Sequence, residues 1–556
     1  MNNSTHHHQL ITSYLLLIIL VVVALSFSVS FGALLSSIID DDPTPNSADF
    51  ITCLQSNSNN VTSISELIFT PSNASFLPIW GARVNNLRFN HSGTPKPSII
   101  VTPIHETQVR TVLLCTKEHG YELRIRSGGH DFEALSSTAD VPFVMLDLNR
   151  MRDIDVDVAN RTAFIQTGAV LGELYYAITN KTDTLYFPAG LCPTVGVTGF
   201  LSGGGYGNLL RKYGTGADNV LDVRFMDVNG NILDRKSMGE DLFWAIRGGG
   251  ASSFGIVLSW KLRLVAVPEI VTVFLVNKTL EEGGSEIFYK YQTVVPNIDR
   301  NLQIRAQIRS ESIGNSTDRR VRFLFDGVYL GTTDTLLPLL EKNFPELNVT
   351  REICEEGRMV QSTLLFGGYA RNTSTELLAS RTPAFRLNSK SKSDYVRTPI
   401  PRSGLKQIWK MVSENDGSEL LIMYPFGGRM NDLSDTAIPY PHRAGVLYQF
   451  HQLVNFNSET SDTTPTALRR INWMIRFHNK IERYVSKNPR EAYSNYNDLD
   501  LGVGSATYEE ASVWGERYWK RSNFKKLIRI KAIVDPENFF RHPQSIPVFS
   551  RYQSDM

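Results

Sequence analysis

Residues Gly190–Gly207 read GLCPTVGVTGFLSGGGYG. Glycine at this density lets the backbone approach a ligand closely, and successive open N–H groups form an anion nest. Two further clusters lie on either side: RSGGHDF, Arg126–Phe132, directly after a strand-like run, and RGGGASSFGIV, Arg247–Val257. One such loop is a tight turn as readily as a binding site. Three in one region, with no GxxxxGK[ST] pattern, favour a dinucleotide held by backbone over a triphosphate bound with magnesium. No metal site is read from the sequence.

A chain of 556 residues exceeds what one core serves, so two or three domains sharing a site are expected. Hydrophobic residues at 42% and charged residues at 20% exclude a largely disordered chain. A formal charge of +1 with no long basic run excludes nucleic acid as a partner.

PSIIVTP, HETQVRTVLLCTKEHG and YELRIRSGGH follow the order strand, helix, strand. A second α/β region runs from VPFVMLDLN to about Pro268, with RTAFIQTGA and VLDVRFMDVNGNILD as strands and NG as a hairpin signal. From Glu269 to about Arg470, IVTVFLV, NLQIRAQIRS, RVRFLFDGVYLG, SELLIMYPFGG and GVLYQFHQLVNF alternate at period two, predicting an antiparallel sheet with one covered face. The expected class is α+β. A two-part first domain spans 50–268, and a second domain over 269–470 carries a large antiparallel sheet backed by helices. The segment 471–556 returns to the first domain, so VDPENFF should pack beside the first α/β unit.

The apolar run YLLLIILVVVALSFSVSFG from Tyr14 makes residues 1–31 a secretory signal, with an uncleaved anchor as the alternative because the run is nearly long enough to span a bilayer. Sequons at Asn60, Asn73, Asn90, Asn160, Asn180, Asn277, Asn315, Asn348 and Asn372 agree with the secretory route, ending outside the cell, in the wall or in the vacuole. Cys53 and Cys115 flank the first globular stretch and can pair in an oxidising compartment, whereas Cys354 reads as a buried free thiol. Oligomeric state is left open.

SGGH ending at His130, followed by CPTVG and SGGGYG some sixty residues later, resembles the berberine-bridge-enzyme-like oxidoreductases of plants, whose FAD-binding fold is of the vanillyl-alcohol-oxidase type. MGEDLFWAIRGGGASSFGIV from Met238, PHRAG from Pro441, NYNDLDLG from Asn495 and VDPENFFRHPQSIP from Val534 carry the resemblance over nearly the whole chain. It implies FAD joined covalently at its 8α-methyl to His130 and at C6 to Cys192, since an imidazole nitrogen and a thiolate can both add to an electrophilic ring. The cofactor cradle it implies adds Arg126, Ser127, Gly128, Gly129, Gly199, Ser202, Gly203, Gly204, Gly205, Gly207, Gly255 and Val257. Val195 matches a gate position where valine goes with oxygen access and leucine with dehydrogenase behaviour. Tyr496 is the implied base. Gln449 stands where berberine bridge enzyme carries a glutamate base; an amide cannot take the proton, so Gln449 positions a substrate hydroxyl or carbonyl instead. The implied reaction is oxidation of a phenolic or prenylated small molecule by hydride transfer to FAD, with molecular oxygen as final acceptor.

Two positions depart from the family pattern. Phe200 replaces a histidine that would supply a donor near the flavin, and Asn497 replaces an arginine that would lower the pKa of Tyr496. These departures keep open a second function, because the resemblance also extends to flavoproteins that join a phenolic diene and a chalcone by Diels–Alder cyclisation without net oxidation. Arg443 would then polarise a carbonyl while Tyr496 and Gln449 orient phenol groups. A third reading is a catalytically idle flavoprotein.

Overall fold

Phe143–Asp147 is buried residue after residue, the mark of a strand covered on both faces. In the computed structural model, which describes residues 45–57, 64–314, 318–383, 386, 388–456, 464–504 and 506–549, it is the inner strand of a four-stranded sheet. The strands are β1 (Ile68–Phe69), β2 (Ile99–Val101), β3 (Glu122–Arg126) and β4 (Phe143–Asp147), in the order β1-β2-β4-β3, with β4 parallel to both neighbours. The expectation placed VPFVMLDLN in the second region; the structure inserts it between β2 and β3, because an apolar strand needs cover on both sides. The residues from Ser47 onward form one unit, and the signal at 1–31 lies outside the described residues, as do Asn60 and Asn315.

The helix Glu106–Glu118 joins β2 to β3 and buries Val109, Val112 and Leu113 against the sheet. A disulfide between Cys53 and Cys115 ties it to the first helix, Ser47–Ser56. VDPENFF closes the same core. The Asp535 carboxylate accepts from the Phe539 and Phe540 N–H groups at 2.9 and 2.8 Å, and both rings pack among Phe50, Ile99 and Val109. The Arg124 guanidinium donates to the Arg541 carbonyl at 2.7 Å.

The second sheet is antiparallel throughout: β5 (Ile154–Asp157), β6 (Thr162–Gln166), β8 (Val220–Met226), β9 (Ile232–Leu233) and β10 (Ile256–Arg263), in the order β5-β6-β10-β8-β9, while β7 (Leu185–Tyr186) pairs with β11 (Val265–Ala266). The NG signal closes the β8–β9 hairpin, with Gly230 at φ +79°.

The third sheet has seven strands: β12 (Val271–Thr279), β13 (Leu302–Ser312), β14 (Arg319–Tyr329), β15 (Cys354–Gly357), β16 (Ser389–Val396), β17 (Glu419–Pro425) and β18 (Tyr448–Asn455), ordered β15-β12-β14-β13-β17-β18-β16 and antiparallel throughout. One face is apolar. Phe274, Ile304, Ala306, Phe323, Phe325, Met423 and Phe450 sit under Phe288 and Trp409, on the helices Gly284–Val294 and Arg402–Ser413, and under Phe477 on Pro465–Ile481. The registers Arg305↔Asp326, Gln307↔Ile422, Ile422↔His451 and Tyr424↔Gln449 put a polar set on the other face. Cys354 begins β15 as a free thiol that is half-buried rather than buried, because β15 is an edge strand. Among the described residues no helix is long and apolar enough to cross a membrane.

Candidate active site

β3 runs straight into RSGGHDF. Arg126 was expected to touch the cofactor. It is instead fully buried behind the loop, where its guanidinium donates to the Ile79 and Trp80 carbonyls at 2.7 Å each and to Asp147 at 2.8 Å. Its terminal nitrogens are therefore spent on bracing the turn. The Ser127 hydroxyl donates to the Thr167 carbonyl at 2.7 Å. A Cβ on Gly128 would come within 2.3 Å of the Gly196 nitrogen, so the first and second motifs meet backbone to backbone. Gly129 needs φ +68°, and a Cβ there would strike the Arg83 carbonyl. The N–H groups of Gly128, Gly129 and His130 donate to no acceptor among the described residues, which is the donor set an anion nest requires.

The His130 ring is held at both nitrogens, with the Asn85 amide nitrogen 2.8 Å from Nδ1 and Thr194 Oγ1 2.8 Å from Nε2. An amide N–H donating to Nδ1 leaves the lone pair there and the ring proton on Nε2. Burial, aided by the Arg386 charge, drives the pKa of His130 down to about 4, so the imidazole is neutral and nucleophilic. Cys192 opens a tight turn closed by the Val195 N–H on the Cys192 carbonyl at 3.2 Å. Its side chain is exposed on the same wall as His130, and half-buried Val195 follows. The protein around the thiol pushes its pKa up, and Arg305 opposes that shift.

The other glycines behave differently. Gly199 is exposed with open space where a Cβ would be. Gly203 is pressed by Asn495, Gly204 by Tyr440, Gly205 by the Phe200 ring, Gly207 by the Ala189 carbonyl and Gly255 by the Met226 carbonyl. The Ser202 hydroxyl donates to the Thr198 carbonyl one turn back at 2.7 Å, and Val257 is buried on β10. These seven residues other than Gly199 were expected in the cofactor cradle. The structure packs each of them closely against a neighbour. Phe200 turns its ring into the core beneath Gly190 and Gly205 and offers no donor to the site.

The polar face of the third sheet supplies the opposite wall. The Tyr206 hydroxyl, from SGGGYG, lies 2.6 Å from the Tyr496 hydroxyl and donates to Gln449 Oε1 at 2.9 Å. Gln449 is fully buried, and its Nε2 has no hydrogen-bond partner. The His451 ring stacks on Tyr496 at 4.1 Å, with Nε2 2.7 Å from Ser391 Oγ, and burial pushes its pKa down to about 3. Phe132, two residues past His130, meets the Tyr496 ring edge-on at 5.3 Å and brings the two walls together. Burial pushes the Tyr496 phenol up to about 12, against the Tyr206 hydrogen bond and the Arg305 charge, which both lower it. Arg305 itself is held charged by Asp326, whose carboxylate accepts from it at 2.6 to 3.1 Å and outweighs the cost of burial. Half-buried Asn497 adds no charge.

A buried ion cluster fixes the tyrosine loop. Lys390 reaches Glu133, Asp498 and Asp500 at 2.6, 3.0 and 3.1 Å, and Lys392 reaches Asp498 and Asp500 at 2.7 Å each. The DLDL acids after Tyr496 are thereby bolted to β16 and to the residue after HDF. Sequence reasoning missed this cluster along with Tyr206, Arg305 and His451. Tyr206 lay in a motif already singled out, and His451 lies two residues along the strand from Gln449, on the same face by period two.

Arg443 was expected to face a substrate. It is fully buried and gives both terminal nitrogens to Asp218 at 2.8 and 2.7 Å, so its guanidinium fork is committed to a carboxylate rather than to a substrate carbonyl. The neutral imidazole, the thiol on the same wall, the open N–H groups and the orphaned Gln449 amide fit FAD with its ring against the polar sheet. His130 and Cys192 would hold that ring, and the nest would take its phosphates.

Comparison with known proteins agrees. Residues 97–235 match the FAD binding domain family, and residues 492–547 match the family described as berberine and berberine like. Tetrahydroberberine oxidase of Berberis wilsoniae is 44% identical over 531 residues, covering 94% of this chain and 98% of that protein. Monolignol oxidoreductase AtBBE-like 13 of Arabidopsis thaliana is 42% identical, covering 90% and 93%. Among solved structures, a grass pollen allergen with glucose dehydrogenase activity superposes with a TM-score of 0.84 at 39% identity, covering 90% of this chain and 99% of that one. An isoleucine-to-valine variant of that allergen is a glucose oxidase. With two family models placed in order and relatives aligned along nearly its whole length, this chain belongs to the berberine-bridge-enzyme-like family of FAD-linked oxidoreductases.

Proposed function

We propose that the protein is a secreted oxidase that converts a phenolic or related small molecule, with FAD attached through both His130 and Cys192 and molecular oxygen as final acceptor. The observation that carries this reading is the chain Tyr496–Tyr206–Gln449, a hydroxyl relay ending in a buried amide nitrogen without a partner, on the wall facing the two attachment residues. FAD, when bound, supplies the two-electron acceptor. Tyr496 takes the proton of the substrate hydroxyl, and Tyr206 shares that proton across 2.6 Å. The Gln449 Nε2 donates to a substrate oxygen and fixes its orientation. The substrate loses a hydride and a proton, and oxygen receives both electrons and both protons to leave as hydrogen peroxide. Val195 beside Cys192 supports oxygen access, in keeping with the dehydrogenase-to-oxidase pair of the pollen allergen.

The secretory route is supported by the disulfide and by the sequons. Asn73, Asn160, Asn180, Asn277, Asn348 and Asn372 are exposed and Asn90 is half-buried, so six of the seven described sites are open to a glycan. The cyclase reading rested on Arg443 as a free donor, and that support is gone.

Anaerobic mixing of the flavoprotein with prenylated phenols, monolignols and oligosaccharides tests the proposal. Bleaching of the flavin by a phenol, with peroxide released on admitting air, is the expected result. A diene and a chalcone disappearing into an adduct of summed mass, with no bleaching, would overturn it.

A further inference from the structure

β10 begins at Ile256 and ends at Arg263, seven residues and roughly 23 Å away. At that far end lies a cavity of about 520 Å³ lined by Arg161, Lys212, Arg247, Arg263 and Arg429, with Asp218 the one acidic residue among those lining it. Asp218 is already committed. Its carboxylate takes both terminal nitrogens of Arg443 and accepts from the Thr215 N–H and hydroxyl at 2.8 Å each.

Several surface arginines elsewhere find carboxylates: Arg224 meets Glu106 at 2.6 Å, Arg235 meets Glu240 at 2.7 Å and Arg358 meets Asp183 at 2.9 Å. Around the cavity, Arg161, Lys212, Arg247 and Arg263 have no ion-pair partner among the described residues. Arg429 comes only within 3.7 Å of Asp432, which Arg300 approaches at 3.2 Å. Arg247 is also preoriented, with Nε on the Phe243 carbonyl at 3.0 Å and the guanidinium over the Phe243 ring at 4.0 Å, which leaves its outer nitrogens for another acceptor. Cations gathered without a counter-charge repel one another, and that repulsion is removed when an anion binds. Guanidinium forks match tetrahedral oxyanions bidentately, and the volume falls in the range of small-molecule sites.

We propose that this cavity, which shares no lining residue with the candidate active site, is a second binding site for a small molecule carrying phosphate groups, free or esterified. Calorimetric titration of the purified flavoprotein at fixed ionic strength, with inorganic pyrophosphate and glucose 1-phosphate run side by side, tests it. Saturable binding of one molecule per chain is expected, and the tighter ligand identifies the source of the phosphate. Affinity should fall at least tenfold in Arg247→Ala, at a half-buried position, and in the Arg161→Ala/Arg263→Ala pair, and the pair, both exposed, should leave melting and flavin reduction as they were. Lys480→Ala, an exposed cation elsewhere, should bind as the unchanged protein does. Absence of binding by either ligand would overturn the proposal, as would binding that survives in the combined Arg161, Arg247 and Arg263 variant.

Discussion

The two faces of the seven-stranded sheet come from the same strands and do opposite work. On one face Phe323, Phe325, Met423 and Phe450 are closed under three helices, and the polar pair Gln452 and Asp394 at its edge is satisfied internally and by His478 of a covering helix. On the other, one residue along each strand, Asp326, Arg305, Tyr424, Gln449 and His451 make a polar surface that the tyrosine loop, His130 and Cys192 complete. Period-two alternation makes this division possible, since neighbouring side chains share a backbone and almost nothing else. Stability should therefore be read on the apolar face and chemistry on the polar one.

The comparison is broken most severely if Phe450→Ala leaves stability intact. A buried aromatic cut to alanine costs about 3–5 kcal/mol, measured by denaturant unfolding, whereas flavin reduction per folded molecule should stay the same. On the polar side the balance reverses. Tyr496→Phe should slow flavin reduction about a hundredfold, the scale of a lost general base, with no change in melting.

A pH profile sharpens the same point. Tyr496 acts only when deprotonated, and its pKa is pushed up to about 12, so the reduction rate should climb with pH across roughly pH 6 to 9. The slope should vanish in Tyr496→Phe. A flat profile would move the base to His451, whose pKa of about 3 leaves it neutral and proton-accepting throughout that range.

Smaller effects are expected where the polar face acts at one remove. Arg305→Met, made with Asp326→Asn so that no buried carboxylate is stranded, removes the charge that opposes the upward shift of Cys192. Attachment of flavin at Cys192 should slow about tenfold while the bond to His130 still forms, as peptide mass spectrometry would report. Equal labelling at both positions would show that the thiol ionises without help. The smallest change is Gln449→Leu, which loses one hydrogen bond to the substrate and should raise KM about fivefold at constant kcat. A fall in kcat with KM unchanged would place Gln449 in the transition state instead.

The family and the placing of the nest were legible because they reside in short contiguous motifs, where consecutive glycines and a histidine carry their meaning locally. The roles of individual residues inside those motifs were less so. Arg126, Gly203 and Gly204 stand in cofactor-like patterns, yet Asp147, Asn495 and Tyr440 from elsewhere in the chain claim them. β16 was invisible for a related reason. SKSKSDYV has no apolar alternation, and all eight residues are buried because Lys390, Lys392 and Asp394 find charged partners far away in the chain.

By itself, then, the sequence determined the α+β class, the long alternating strands, the open glycine turn ahead of His130 and the pairing of an imidazole with a thiol as candidate attachment points. Tertiary structure alone decided that Arg443 belongs to Asp218, that Tyr206 joins Tyr496 to Gln449, and that four cations without an ion-pair partner among the described residues share one cavity. The physical reason is separation along the chain. Hydrogen bonds and ion pairs between residues a hundred or more positions apart leave no trace in local periodicity, and they settle which donors are spent and which remain for a ligand.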